Sequence, residues 1–177
     1  MKSTKSAGRY AKALLELATE QNKLELVEKD MMYLIATAKE TRDFQIFLNS
    51  PVIRTDKKVS ILKELFSAFC DLSLSFMELI TKNSREYLMV EIASAYLAQL
   101  KAQKGIVPIS IVSAKTLDNS TKSKIVEKLK SNISGTLEVT EIIDEKLIGG
   151  FIVKMGDHQI DASVSSQLSR LKQTLTK

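Results

Sequence analysis

The chain has 177 residues, 44% hydrophobic and 27% charged, with six Gly, two Pro and no Trp; this is ordinary globular usage, with apolar material enough for a core, and it excludes bulk disorder. The net charge of +5 is spread evenly, sixteen basic against thirteen acidic side chains in residues 1–104 and ten against eight in 105–177, so neither half is a basic block of the kind that nucleic acid selects. The single Cys70 excludes an intrachain disulfide, the single His158 excludes a histidine triad or a multi-histidine metal site, and no apolar run approaches the ~18 residues of a membrane span.

Met1 to Arg9 carry charge without the apolar stretch of a secretory signal, so the chain is expected to be mature from Met1. Apolar residues then recur at helical spacing through the first hundred positions. Ala7, Tyr10, Ala11, Leu14, Leu17 and Ala18 predict a first helix, and Leu24, Val27, Met31, Leu34, Ile35 and Ala38 a second. Phe44, Phe47 and Leu48 predict a short third, capped by Thr41 and ended before Pro51. Val59, Leu62, Leu65, Phe66 and Phe69 predict a fourth, capped by Thr55 or Asp56. Leu72, Phe76, Leu79 and Ile80 mark a fifth, and Leu88, Ile92, Ala93, Tyr96, Leu97 and Leu100 a sixth that stops at Gly105.

At Gly105 the period changes. Ile106 to Ser113 is β-branched and alternating, a strand in which Pro108 belongs at an edge or near the start. A helix over 117–131 follows, then strands over Thr136–Ile143 and Gly149–Met155, a tight turn at Gly156-Asp157, a short strand over His158–Ile160, and a closing helix through Val164, Leu168, Leu171 and Leu175. The expected architecture is multidomain: an all-α six-helix bundle over 1–105, then a small α+β domain over 106–177.

The motifs of phosphate and dinucleotide binding are missing from this sequence, and no catalytic constellation, cofactor or metal site is expected. Gly149-Gly150 begins a strand instead of joining a strand to a helix, which suggests a bulge or a close backbone approach. His158 reads as an exposed turn residue and Cys70 as a small packing residue near a helix end. Asp157 completes a turn, and Asp161 is placed to cap the final helix. Lys122, Lys124, Lys128 and Lys130 form the densest basic cluster and offer an alternative reading as a nucleic-acid-binding adaptor, although no aromatic side chains are interleaved with them.

Two helices have apolar arcs wider than a bundle interior requires. On the first the arc runs about 200°, from Ala13 through Leu17, Tyr10, Leu14, Ala7 and Ala11 to Leu15, against the ~100° that a surface helix needs. The fifth, with Leu72, Leu74, Phe76, Met77, Leu79 and Ile80, leaves only a strip of Ser75, Glu78 and Lys82 polar. Such helices are central to their bundle or share a face with a visiting amphipathic helix.

Three stretches carry a family likeness: Arg9-Tyr-Ala-Lys-Ala-Leu-Leu-Glu-Leu-Ala18, Phe76-Met-Glu-Leu-Ile-Thr-Lys-Asn-Ser-Arg85, and Leu147-Ile-Gly-Gly-Phe-Ile-Val-Lys-Met-Gly-Asp-His-Gln-Ile-Asp161. In this order and spacing the chain resembles the delta subunit of F-type ATP synthases, the oligomycin-sensitivity-conferring protein of mitochondria. The last stretch extends as a signature through Leu147, Gly149, Gly150, Gly156, Asp157, Asp161, Ser163, Leu168 and Leu171. Ala162 stands where the family often has Gly, and Ser165 near a position that is often basic.

The resemblance implies a non-catalytic stator subunit, peripheral to the cytoplasmic face of a bacterial inner membrane or the stromal face of a thylakoid, without direct membrane insertion and without nucleic acid. It implies that the helical domain binds amino-terminal helices of alpha subunits through Tyr10, Ala13 and Leu14 on the first helix and Leu79, Ile80 and Asn83 on the fifth. It further implies that the second domain binds the b subunits of the peripheral stalk.

Overall fold

The structure is a computed structural model that describes residues 4–114, 118, 126–127, 135–144, 147–156 and 158–175. The chain divides into two compact units, Met1–Leu100 and Lys101–Lys177.

The first unit is built from α1 (Lys5–Glu20), α2 (Leu24–Glu40), α3 (Arg42–Asn49), α4 (Thr55–Leu65), α5 (Asp71–Lys82), a 3-10 turn (Glu86–Leu88) and α6 (Met89–Gln103), which crosses the division between the units. Each helix forms on the spacing its apolar residues set. Ala7, Ala11, Leu14 and Ala18 of α1 are fully buried, as are Val27, Leu34 and Ala38 of α2, with Met31 nearly so. Steps of four and three keep each row on one face, and small alanines let α1 approach its neighbours closely. α6 is enclosed along most of its length: Met89, Ile92, Ala93, Ala95, Tyr96 and Leu100 are buried and Val90 and Leu97 are half-covered.

Helix ends explain how the chain turns. The Thr4 hydroxyl caps α1 by accepting from the Ala7 amide at 3.3 Å. At the other end Asn22 adopts φ 55°, and its amide and that of Lys23 donate to the carbonyls of Thr19 and Ala18. The same device ends α5: Ser84 sits at φ 55°, its amide donates to the Thr81 carbonyl, and that of Arg85 donates to the Ile80 carbonyl at 3.1 Å.

Two caps differ from expectation. Thr41 holds the N-cap position of α3 without a side-chain bond, and α4 starts at Thr55 itself, with Arg54 at the cap position. The fourth helix also stops at Leu65, four residues early, where Phe66 and Phe69 turn in and pack together, rings tilted by 38° with centroids 4.6 Å apart. Cys70 therefore stands at the N-cap of α5 and not at the end of α4, half-buried, its sulfur 3.2 Å from Ser73 Oγ.

The second unit holds a four-stranded sheet in the order β2-β1-β3-β4, from β1 (Ile106–Ser113), β2 (Thr136–Ile143), β3 (Gly150–Met155) and β4 (His158–Ser163). β1 runs parallel to β2 and antiparallel to β3, which pairs antiparallel with β4. Val107, Ile109 and Ile111 line up in register with Leu137, Val139, Phe151 and Val153 to make the apolar face.

β1 is an interior strand, so of the two places open to Pro108 it takes the one near the strand's start, as the third residue of β1. The ladder to β3 begins only at Ser110, so at Pro108 the strand has β2 alone as partner and the missing N–H costs no ladder bond. The parallel β1–β2 pair needs a long crossover; the helix expected there over 117–131 lies largely outside the described residues. β4 extends three residues past Ile160, and the closing helix α7 (Val164–Leu175) follows at once.

Candidate partner-docking site

The sixth residue of α1 and the turn after α5 meet directly. The Arg85 guanidinium lies over the Tyr10 ring, 5.6 Å from its centroid, and its Nη1 donates to the Tyr10 hydroxyl at 3.2 Å. The left-handed Ser84 aims Arg85 there, by reversing the backbone as soon as α5 ends. The start of α5 is fixed as well: the Cys70 amide donates to Asp30 of α2 at 3.0 Å. Asp30 lies in the half of α2 that follows from the end of α1, so α1 and α5 run in opposite senses.

Six residues were expected to form a docking face here, and the structure separates them. Tyr10 is half-buried, Ala13 and Asn83 are exposed, and Leu79 is 51% exposed. Leu14 and Ile80 show no exposed surface at all; they belong to the core of their own unit and cannot touch a partner without unpacking it. Leu17, 42% exposed, takes Leu14's place on the outer stripe. Tyr10, Ala13 and Leu17 step by three and four along α1; half-buried Leu72, Leu79 and Asn83 step by seven and four along α5, beside Phe76. The resulting face is apolar at its centre, with one tyrosine and one arginine joined across it. Leu17 was legible in the apolar arc of the first helix; Arg85 closes one of the three family-like stretches, but its contact with Tyr10 follows only from the Ser84 turn.

A buried ion pair stands behind this face. Lys58 is 2% exposed, and its Nζ donates to Glu86 Oε1 at 2.5 Å and to the Leu48 carbonyl at 3.3 Å. Glu86 Oε2 is buried without a partner in the described structure. The pair borders a cavity of about 520 Å³ lined also by Asn49, Pro51, Ser84 and Tyr87, so one ammonium ties the end of α3, the first turn of α4 and the segment that carries Arg85. On α5 itself, Glu78 accepts from Lys63 at 2.6 Å and Lys82 at 2.8 Å. The two ammonium groups hold its carboxyl down to about 2, Lys63 the more strongly, and Glu78 in turn raises Lys82.

The signature residues of the second unit act on backbone geometry. Gly150 has φ +79°, and a Cβ there would fall 2.4 Å from the Ala162 carbonyl oxygen, so the close approach of β3 to β4 requires glycine. Gly149 is half-buried beside Val164, Leu147 is half-buried, and Gly156 starts the β3–β4 turn at φ +55°; Asp157 lies outside the described residues. Asp161 accepts from the Ser163 amide at 2.8 Å and the Ser166 hydroxyl at 2.7 Å, while Ser163 Oγ accepts from the Ser166 amide at 3.3 Å. Ser163 is thus the direct cap of α7, and Asp161 braces it from the strand. Leu168 is exposed on α7; Leu171 lies on the same helix, its side chain outside the described residues. His158 is exposed in β4.

Among the described residues no group of three His, Cys, Asp or Glu side chains could hold a metal ion. The basic cluster Lys122, Lys124, Lys128 and Lys130 lies outside the described residues.

Comparison with known proteins supplies the remaining identification. Residues 7–175 match the family model of the ATP synthase delta (OSCP) subunit. The chain is 34% identical over 178 aligned positions to ATP synthase subunit delta of Cytophaga hutchinsonii, covering all of this chain and 97% of that one. It is 33% identical to the subunit delta of Christiangramia forsetii, covering 99% and 95%. Its fold is similar to that of a chain from the cryo-EM structure of the Toxoplasma gondii mitochondrial ATP synthase hexamer, with a TM-score of 0.77 at 22% identity over 98% of this chain and 99% of that one. Matched along nearly its whole length, by sequence and independently by fold, this chain belongs to the ATP synthase delta (OSCP) subunit family.

Proposed function

We propose that this subunit joins the catalytic head of a rotary ATP synthase to the peripheral stalk through two separate surfaces. The helical region, residues 1–105, receives amino-terminal helices of alpha subunits on the α1/α5 face; the sheet region, 106–177, receives the b subunits. The observation that carries the first assignment is the apolar stripe left outside a complete core: Leu17 and Leu79 stand about half-exposed beside Tyr10, while the row beneath them is sealed. Burying a leucine of this kind contributes about 1.5–3 kcal/mol, and a helix laid along the stripe covers several such side chains. In the second region Val164 and Leu168, four residues apart on α7, and Ile148 and Ile160 are exposed, and they support a second apolar contact there.

The task is mechanical. A stator subunit of this family is non-catalytic; it holds the head against the torque of the rotor, and this requires interfaces that release slowly, not reactive groups. No helix among the described residues is long and apolar enough to cross a membrane, so in this reading the chain is attached through its partners, on the face of the membrane where the head stands.

Leu79→Asp tests the docking face. The folded variant is expected to bind an alpha amino-terminal peptide at least tenfold more weakly by calorimetry, about 1.4 kcal/mol, with Tyr10→Asp acting in the same direction. Unchanged affinity in both folded variants overturns the assignment.

A further inference from the structure

We propose that the α1/α5 face is electrically polarised and accepts a helix in one orientation, with the acidic end of the visitor beside Arg85 and its basic end beside Glu20. The inference rests on the docking reading above and adds the charge pattern of the occupant. Because α1 and α5 run in opposite senses, the two ends of the face can be compared charge by charge. On α1 the residues flanking the outer stripe are Arg9 near the start and Glu16 and Glu20 near the end, all exposed. On α5 they are Asp71 at the start, the half-buried Glu78 in the third turn and Lys82 at the end, followed by Arg85. Arg9, Lys82 and Arg85 therefore gather at one end of the stripe, and Glu16, Glu20 and Asp71 at the other.

Local pairing leaves most of this polarity standing. Lys82 shares the half-buried Glu78 with Lys63, so the three groups leave one net positive charge near this end, and Glu16 lies 3.8 Å from Lys12 in a well-exposed, weak pair. Arg85 is held by the Tyr10 ring and hydroxyl, which fix the guanidinium without cancelling its charge. Glu86, the next residue, turns inward to Lys58. Arg9 and Glu20, eleven residues apart on α1, stand about 16 Å apart along its axis, about two screening lengths at physiological salt, so a docked helix meets the two ends as distinct potentials. Opposed charges at both ends favour one alignment, and reversing the visitor places like charges together at both.

The test uses the full chain and two amphipathic peptides of about 20 residues with the same apolar stripe, one acidic at its amino end and basic at its carboxyl end, the other with the charges exchanged. Each carries a paramagnetic label at its amino end, and binding is read by anisotropy and by broadening of amide signals. Both peptides are expected to bind, the first with its label broadening signals around Arg85 and the second around Glu20. Combining Arg9→Glu and Arg85→Glu with Glu16→Lys and Glu20→Lys is expected to exchange the two patterns. For an alpha amino-terminal peptide of fixed charge order, the single pair Glu16→Lys and Glu20→Lys is expected to weaken binding roughly tenfold at about 0.01 M ionic strength, and hardly at all at about 1 M, where the screening length is about 3 Å. If the alpha peptide binds and Leu79→Asp releases it, yet both labels broaden the same end or both ends equally, the polarity is overturned and the docking face survives. If neither designed peptide nor the alpha peptide binds, the docking reading falls and the polarity with it.

Discussion

The two units reach stability by different routes. Among the described residues, the helical unit encloses an apolar core that takes side chains from all six helices, with Tyr96, Phe66 and Leu14 among its largest fully buried members. The sheet unit, among its described residues, has a buried cluster of Ile109, Ile111 and Val153, with Val107, Leu137, Val139, Phe151 and Met155 half-covered. Its order rests more on strand register and on turn and cap residues: Gly150 against Ala162, and Asp161 and Ser163 at α7. Side chains hold the helices together and leave an outer stripe free; backbone geometry holds the sheet, and side chains such as Ile148 and Leu168 remain exposed. The glycines whose backbone conformation or close approach the sheet needs, Gly150 and Gly156, fall in this second unit.

The sharpest way to break the helical half of the comparison is Lys58→Ala. It strands Glu86 in a buried site whose second oxygen already lacks a partner. The expected loss is about 3–5 kcal/mol in urea unfolding, seen by helical circular dichroism. Replacing both partners, with Lys58→Met and Glu86→Leu, is expected to restore most of it. A single variant as stable as the parent means that the pair is not buried in solution.

Gly150→Ala strikes the other half. A left-handed backbone with a methyl group against the Ala162 carbonyl costs about 3 kcal/mol. Amide exchange is expected to accelerate through β3 and β4 while the helical unit keeps its protection, which locates the damage in one unit. Equal acceleration in the helices argues that the two units unfold as one.

These residues also show how much the sequence made legible. The six-helix plan and the four strands follow from periods of 3.6 and 2, and the three quoted stretches carried the family. A helical wheel gives the width of an apolar arc without saying which part of it faces the bundle. Leu14 and Ile80 stand on the same arcs as Leu17 and Leu79, and only burial in the assembled core decides between them. Lys58 did carry a signal, standing four residues before Leu62 on the apolar face of α4, but its partners come from α3 and the 3-10 turn, ten and twenty-eight residues away.

Tyr96→Phe is a finer probe of the helical core. The ring is fully buried, its hydroxyl has no partner within the described structure, and burial pushes its pKa up to about 12. Removing an unpaired buried hydroxyl is expected to leave stability within about 1 kcal/mol of the parent, on the stabilising side, measured by thermal melting at neutral pH. A raised folded-state pKa means that the neutral tyrosine contributes fully below pH 10 and that this contribution is lost on titrating towards about 12. The phenylalanine variant is expected to lack that alkaline loss.

The smallest expected effect is that of Glu78 on the surface of α5. Lys63 and Lys82 hold its carboxyl near 2, below the usual carboxylate range around 4.5. A depressed folded-state pKa makes the contribution complete above that range and removes it as pH falls towards 2, because the unfolded chain takes up the proton first. The site is solvated and salt screens it, so the useful readout is a difference of slopes. The melting temperatures of the parent and Glu78→Gln are expected to differ by a constant amount above pH 5 and to converge by about pH 2. A gap that persists at pH 2 assigns the loss to packing of the side chain against α4 instead of its charge. Either result bears on the docking face, since Glu78 and Lys82 flank Leu79 and their pairing fixes how much of the Lys82 charge a visiting helix meets.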